Sequence, residues 1–365
     1  MPGPPRISVT ELAAGAADFP LLDGLLDNAG QVAGPPLVAV DLTGPTGQGG
    51  GTDQARPLDR TNLATAVSRA ADCARLLVGV APGPLPPGAD QLLRALDVTL
   101  TTASPAPPEC VTVPDPEAAL RALHASATAT PQAALVLSQL LRATAELPVR
   151  AALDMESLAY STLLGGREFQ AWLRAQPARK APPLVQDPVL IRREDDTLKI
   201  TLNRPERRNA YGRQLRDALA DALRVALLDP EATPVVLDGA GPSFSSGGDL
   251  AEFGTAPDLA TAHFVRTQAG AALLLHALRD RAEVQVHGPC VGAGVELPAY
   301  AATVVAAQDT TFRLPEVAMG LVPGAGGTVS ITRRIGRWRT LYLALAGHPL
   351  DTATALDWGL VDRIG

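Results

Sequence analysis

The chain has few cysteines, no cluster of basic residues and no long apolar run. Its three cysteines, Cys73, Cys110 and Cys290, are odd in number and lack the spacing of a metal site, which argues against a disulfide framework or a zinc site. Acidic residues outnumber basic ones by 38 to 31, and Lys and Arg nowhere concentrate into a nucleic-acid surface. The apolar stretches are interrupted before the ~18 residues of a membrane span. We therefore expect no metal, nucleic-acid or membrane partner.

The composition is that of a globular protein. The 365 residues, 46% of them apolar, are enough for two ordinary domains. Residues 1–5 do not combine a basic region with an apolar core and so do not form a secretory signal. These features predict a cytoplasmic protein.

A proline-rich segment divides the sequence. Pro177, Pro182, Pro183 and Pro188 crowd into residues 176–188, a composition typical of a linker. We therefore predict a first domain over residues 1–175 and a second over residues 189–365.

Strands and helices alternate in the second domain. Apolar periodicity predicts a hairpin with strands at 189–194 and 197–202, followed by a helix around Leu215 to Ala226. It also predicts a second helix at 269–278 and further strands at 233–239, 284–286 and 303–307. This order predicts an α/β fold with parallel strands and right-handed crossovers.

The first domain is predicted to be α/β and then helical. Strands are expected at 37–42, 76–80 and 97–101, with a helix at 63–74 and later helices at 116–127, 131–143, 149–164 and 166–173. This domain lacks the glycine and glutamate motifs of the second, so we expect it to be non-catalytic.

Two glycine-rich turns in the second domain are suited to binding an anion. Gly248 and Ala293 each follow a glycine and open a segment predicted to be helical, at 249–253 and 294–298. Two backbone N–H groups aimed at one point would stabilise the oxyanion of a thioester enolate. The alternative is that these glycines only shape tight turns.

Two glutamates stand beside these turns. Glu296 follows Ala293 by three residues and is a candidate base. Glu316 follows a proline in an apolar segment, where desolvation would raise its pKa and suit it to donate a proton, unless Arg313 pairs with it. Two carboxyl groups sharing a water could add that water across a conjugated double bond.

Residues 189–365 resemble the enoyl-CoA hydratase/isomerase, or crotonase, superfamily. The motifs that carry the resemblance lie at residues 202–210, 244–249, 287–296, 314–316, 320–328 and 358–362. The resemblance implies a spiral of stacked ββα turns that binds acyl-CoA thioesters, with CoA as part of the substrate and no separate cofactor.

The resemblance also implies site residues. Glu296 and Glu316 correspond to the acid/base pair of hydratases, and Gly248 and Ala293 correspond to the oxyanion hole, with alanine at 293 where glycine is usual. The residues implied to contact CoA and the thioester are Gly247, Gly248, Asp249, Leu250, Ala251, Arg208 and Ala210. An exposed, solvated role remains open for Arg208, and a helix-capping role remains open for Asp249.

Retention of both glutamates favours hydration or dehydration of a 2-enoyl-CoA. Double-bond isomerisation and a ring-modifying reaction on a CoA thioester remain alternatives. A rival of another class is a non-catalytic acyl-CoA-binding or scaffold protein.

Relatives in this superfamily continue past the 358–362 motif with helices that close the site and build trimer contacts. Because this sequence lacks that tail, we expect the first domain to supply it, as a reduced crotonase-like domain whose helices cover the second. An unrelated helical appendage is the alternative. The resemblance further implies a homo-oligomer, of trimer type or a variant of it.

Overall fold

The computed structural model describes residues 3–15, 25–28, 31–43, 60–177 and 179–365. Two of the residues considered above for a secretory signal, Met1 and Pro2, lie outside the described residues. So does Ala178, within the predicted linker. The chain divides into two compact units. The first comprises residues 1–142 and 336–346, and the second comprises residues 143–335 and 347–365.

The first unit contains a five-stranded parallel sheet whose strands follow chain order. The strands are β1 (Arg6–Ser8), β2 (Leu37–Asp41), β3 (Leu76–Ala81), β4 (Val98–Thr101) and β5 (Cys110–Thr112). The helices are α1 (Val9–Ala14), α2 (Arg60–Ala71), α3 (Asp90–Ala95), α4 (Pro116–Ala129) and α5 (Pro131–Thr144). All six residues of β3 are buried, as expected for a parallel strand covered on both faces. The α/β character predicted for this region is confirmed, whereas its origin as a reduced crotonase-like domain stays a prediction.

The second unit begins with two helices and continues through the predicted hairpin. These elements are α6 (Val149–Leu164), α7 (Arg167–Ala175), β6 (Val189–Glu194), β7 (Thr197–Leu202), α8 (Arg213–Leu228), β8 (Val235–Gly239), α9 (Leu259–Ala269) and α10 (Ala272–Leu278). They are followed by β9 (Ala282–Val286), β10 (Pro289–Val291), α11 (Ala293–Glu296), β11 (Thr303–Ala306), β12 (Thr311–Arg313), α12 (Gly327–Ala346), β13 (Leu350–Asp351), α13 (Thr352–Trp358) and β14 (Arg363–Ile364); of α12, only the residues before Gly336 belong to this unit. Helix α12 is interrupted at Gly336, whose φ is 80°.

Two sheets organise this unit. The larger has the order β14-β11-β9-β8-β7-β6, and the smaller has the order β10-β12-β13. In the larger sheet only the β6–β7 hairpin is antiparallel. Strands β9 and β11 each lead into a short strand of the smaller sheet, β10 and β12, which pair in parallel. This repeated step is the predicted ββα arrangement.

The compact units do not follow the predicted domain division. Helices α6 and α7, assigned from the sequence to residues 1–175, belong to the second unit, which also contains residues 176–188. The reason is packing: Ser157 of α6 bonds to His263 of α9, and Phe169 of α7 lies 6.5 Å from Phe253, centroid to centroid. The predicted linker therefore lies inside the second unit.

One predicted helix is wrong. The segment 249–253 is predicted to be helical, but residues 250–254 form a turn. The φ of 73° at Gly254 ends the segment before a helix can form. The next helix begins only at Leu259, after Asp258 caps it. Nowhere in the described ranges is a helix both long and apolar enough to cross a bilayer.

Candidate active site

A cavity of about 770 Å³ lies within the second unit. The loop after β8 contributes Gly248, and the short helix α11 contributes Ala293 and Glu296. Glu316, between β12 and α12, completes the set that the sequence predicted to lie together. Four predicted residues from three separate segments therefore meet at one cavity.

The two glycine-rich turns are in backbone contact. Gly247 has a φ of 84°, and a Cβ placed on it would lie 2.6 Å from the carbonyl oxygen of Val291 and 3.5 Å from the nitrogen of Gly292. Only glycine allows this approach, and it brings together the residues that follow, Gly248 and Ala293. Neither of their amides donates a hydrogen bond to any described residue. The cavity wall thus offers two N–H groups suited to an anionic oxygen.

Glu296 is held at the start of α12. Its side chain is 2% exposed, and Oε2 accepts hydrogen bonds from the amides of Ala325 and Gly327, both at 2.8 Å. A Cβ at position 327 would lie 2.5 Å from Cγ of Glu296, so glycine there makes room for the carboxyl. Burial raises the pKa of Glu296 to about 7, although the two amide bonds act in the opposite direction. Near neutral pH this carboxyl can therefore exchange a proton.

Glu316 is the least satisfied carboxyl of the site. Its Oε2 is shielded from solvent and accepts no hydrogen bond from the described residues. Burial, and then the charge of Glu296, raise its pKa well above the ordinary value. Of the groups that shift the pKa of Glu316, Arg313 has the smallest effect, and it lowers the pKa. The effect is small because the guanidinium of Arg313 donates instead to the carbonyl of Gly347 at 2.7 Å. Glu316 is therefore suited to holding a proton, as its apolar surroundings in the sequence predict.

A third carboxyl, which sequence reasoning missed, enters from α6. Glu156 is 2% exposed and lines the same cavity. Its Oε1 accepts the amide of Gly326 at 2.8 Å, and its Oε2 accepts the amide and hydroxyl of Thr328 at 2.9 and 2.6 Å. Burial, and then the charge of Glu296, raise the pKa of Glu156 to about 8. The only available signal was a lone acid on the helix face that buries Ala152 and Leu153.

Aromatic and cationic side chains form another part of the wall. The guanidinium of Arg266 lies 4.6 Å from the centroid of the Tyr160 ring. It also donates to the hydroxyl of Ser157 at 3.1 Å and to the hydroxyl of Ser161, which ties α9 to α6. Phe253 packs so close to Gly248 that a Cβ there would lie 2.8 Å from the ring. These groups exclude water around the carboxyls, which is the physical basis of their raised pKa values.

The remaining predicted residues are placed differently. Asp249 lines the cavity, but its carboxylate is occupied by Arg207, at 2.7 to 3.0 Å, and by the amide of Ala251. It therefore stabilises a turn and does not cap a helix. The other residues implied to contact CoA lie beside the cavity lining in sequence but not on it; they are Gly247, Leu250, Ala251, Ala210 and the exposed Arg208. Across the described part of the chain, no group of three or more His, Cys, Asp or Glu side chains is arranged to hold a metal ion.

Residues 192–365 match the sequence profile of the enoyl-CoA hydratase/isomerase family. A Mycobacterium bovis protein named "Probable enoyl-CoA hydratase echA8" is 32% identical over 183 residues, which are 50% of this chain and 70% of that protein. The 2,3-dehydroadipyl-CoA hydratase of Escherichia coli K12 is 33% identical over 48% of this chain and 68% of its own length. The 1,2-epoxyphenylacetyl-CoA isomerase of the same strain is 33% identical over 47% of this chain and 67% of its own length.

The chain belongs to the enoyl-CoA hydratase/isomerase family. The predicted superfamily and the crotonase-like α/β fold are thereby confirmed. The relatives are named as hydratases and as an isomerase of CoA thioesters, which supports CoA thioester chemistry here. Glu296 and Glu316 fall inside the matched region, whereas Glu156 precedes it.

Proposed function

We propose that this protein adds water across the double bond of a 2-enoyl-CoA thioester, and catalyses the reverse dehydration. One observation carries the proposal: Glu296, Glu316 and the two unpaired amides of Gly248 and Ala293 line a single cavity. Water addition needs a base, an acid and a site for the enolate oxygen, and these four residues can provide all three.

The reaction balances as follows. The thioester carbonyl accepts hydrogen bonds from the amides of Gly248 and Ala293, which stabilise negative charge on its oxygen. Glu296 takes a proton from water as the water oxygen bonds to C3. Glu316 gives its proton to C2, so that one water molecule is added in total; the proton taken up by Glu296 is then lost to solvent and Glu316 takes one up, which restores both acids.

The pKa shifts of the two glutamates agree with these roles. With a pKa raised to about 7, Glu296 is partly ionised near neutrality and can act as the base. The pKa of Glu316 is raised well above the ordinary value by burial, which favours the protonated form that an acid needs. The segment 247–251, with Arg208 and Ala210, would bind the CoA portion.

The test follows the loss of the enoyl absorbance of crotonyl-CoA and of a panel of longer enoyl-CoA thioesters. We expect Glu296→Gln and Glu316→Gln each to lower kcat by about 10²- to 10⁴-fold, since each removes a proton-transfer group. Glu194→Gln, an exposed change in β6 of the same unit, is the matched control and should keep the wild-type rate.

Other outcomes would reject hydration. Loss of turnover only in Glu316→Gln, with a shifted double bond as product, would indicate an isomerase. Binding of acyl-CoA without turnover of any thioester in the panel would indicate a binding protein.

A further inference from the structure

Four successive amides at the start of α12 alternate between two carboxyls. The amides of Ala325 and Gly327 donate to Glu296. Those of Gly326 and Thr328 donate to Glu156. The two acids therefore share one turn, and each takes every second donor.

The physical reason lies in the helix terminus. The first amides of a helix have no partner within the helix, and the helix dipole places partial positive charge there. One carboxyl could satisfy only part of this turn. Glu156 satisfies the remainder and adds a bond from the Thr328 hydroxyl, so the conformation of the turn depends on both acids.

We propose that Glu156 is a positioning residue for the acid/base pair: by binding Gly326 and Thr328 it fixes the turn whose other two amides orient the carboxyl of Glu296. The inference rests on the proposed hydration. It concerns a residue of α6, outside the region matched to the family, so this chain adds a third acid from a segment that precedes that region.

Glu156 and Glu296 also interact electrostatically. Two carboxyls bound to one turn repel each other when both are ionised, and the charge of Glu296 raises the pKa of Glu156 to about 8, above the value of about 7 for Glu296 itself. The other titratable or charged groups that interact with this pair come from the surrounding elements; they are Tyr160, Tyr211, Arg266, Tyr300 and Glu316. Burial raises the pKa of Tyr211 to about 12 and also raises those of Tyr160 and Tyr300 above the ordinary value, so all three tyrosines stay neutral. Glu316 enters the proposed reaction protonated, so the coupled proton equilibria near neutral pH are those of Glu156 and Glu296.

The first experiment measures kcat, KM and their pH profiles for the full chain carrying Glu156→Gln or Glu156→Asp. Gln replaces one acceptor oxygen with an NH2 group that cannot accept an amide of the turn, and Asp is too short to reach both amides. Either change should loosen the turn and weaken the bonds from Ala325 and Gly327 that lower the pKa of Glu296, so kcat should fall and the acidic limb of the kcat/KM profile should move to higher pH. A displacement of about 1 Å can reduce a rate by on the order of 100-fold, and KM should change little.

The matched control is Glu146→Gln, an exposed change just before α6, which should leave all parameters unchanged. A merely structural Glu156 would lower the melting temperature of both variants and leave the pH profile where it is. That result would overturn the proposal. If Glu156→Gln does not fold, Glu156→Asp decides: wild-type kcat in that variant would contradict a positioning role.

A second readout does not depend on turnover. With ¹³Cδ-labelled glutamate, the carboxyl resonance missing from Glu296→Gln identifies Glu296, and its titration midpoint can be followed by NMR. We expect the midpoint to rise in Glu156→Gln, because the two amide bonds that lower the pKa of Glu296 are weakened, and an unchanged midpoint would refute the positioning role. If the wild type hydrates no thioester, the proposed function fails, while this titration still decides whether Glu156 acts on Glu296.

Discussion

At the scale of single residues, the site is defined by three acids whose protonation differs. The pKa is raised to about 7 for Glu296 and to about 8 for Glu156, and burial raises that of Glu316 well above its ordinary value. Burial in an apolar cavity is the first cause in all three. Such a series allows one acid to accept a proton while another keeps one.

The first prediction concerns pH. Because Glu296 acts as a base only when ionised, kcat/KM should rise as the pH increases through about 7 and fall again where Glu316 loses its proton. Initial rates measured from pH 5 upward, with a thioester that the enzyme hydrates, would show the rising limb. A flat profile in the wild type would contradict the assignment.

The second prediction concerns Gly292. A Cβ at this position would collide with Oε1 of Glu316, and the backbone φ of 48° is unfavourable for alanine. Gly292→Ala should therefore displace the acid and lower kcat by about 100-fold, as measured by turnover of the same thioester. Gly83→Ala is the control, because nothing lies within 4 Å of the added carbon; equal activity of the two variants would argue against the steric effect.

The acids differ in how far the sequence alone could identify them. Glu296 and Glu316 could be predicted because each lies beside a glycine-rich turn that matches a family motif. Glu156 could not, since its partners Gly326 and Thr328 are far along the chain. The local sequence shows only an acid on the buried face of a helix, and its hydrogen-bond partners become known only when the fold is known.

At the scale of elements, α6 forms a wall of the cavity through its bonds to α9. The sequence predicts the bounds of α6 exactly as they are observed, because its apolar residues recur at helical spacing. It does not predict α9, whose apolar and polar residues are mixed around the helix. The short strands β10, β12 and β13 were also missed, since two or three residues carry no measurable period.

The third prediction concerns Arg266, which holds α6 and α9 together. Arg266→Met removes the bonds to Ser157 and Ser161 and should lower the melting temperature, since a hydrogen bond to a charged group contributes about 1.5 to 3 kcal/mol before allowance for solvent screening at this half-buried site. Differential scanning calorimetry would measure the change. Arg279→Met removes an exposed ion pair with Asp280 and should leave the melting temperature almost unchanged. Similar decreases in melting temperature in both variants would argue against a stabilising role for the bonds between Arg266 and α6.

At the scale of the whole molecule, the two compact units are not continuous in sequence. Residues 336–346 belong to the first unit although they follow most of the second. Prolines in 176–188 suggest a boundary because they interrupt secondary structure, but compactness is decided by contacts between distant segments. The amino-acid composition of a segment gives no information about those contacts.

The fourth prediction links the buried acids to global stability. In the unfolded chain Glu156 and Glu296 lose their protons near pH 4.5, whereas in the folded chain they keep them to about 8 and about 7. Between these values the folded state binds more protons, so this contribution to stability is present at low pH and is lost as the pH rises.

The measurement is the melting temperature of the wild type and of Glu156→Gln between pH 5.5 and 8. The wild type should lose more stability across this range than the variant does. Comparing the two removes the opposite contribution of His124 and His276, whose pKa values are lowered by burial. Parallel curves for the two proteins would show that Glu156 does not titrate as described.

The space beside Gly327 has a consequence for sequence variation. This glycine lies at the start of a helix, and what excludes a side chain there is the side chain of Glu296, whose Cγ would lie 2.5 Å from an added Cβ. Positions 296 and 327 should therefore change together among related proteins: where the acid is replaced by a smaller residue, alanine at 327 becomes acceptable, and where alanine is found at 327, the acid should be absent or turned away.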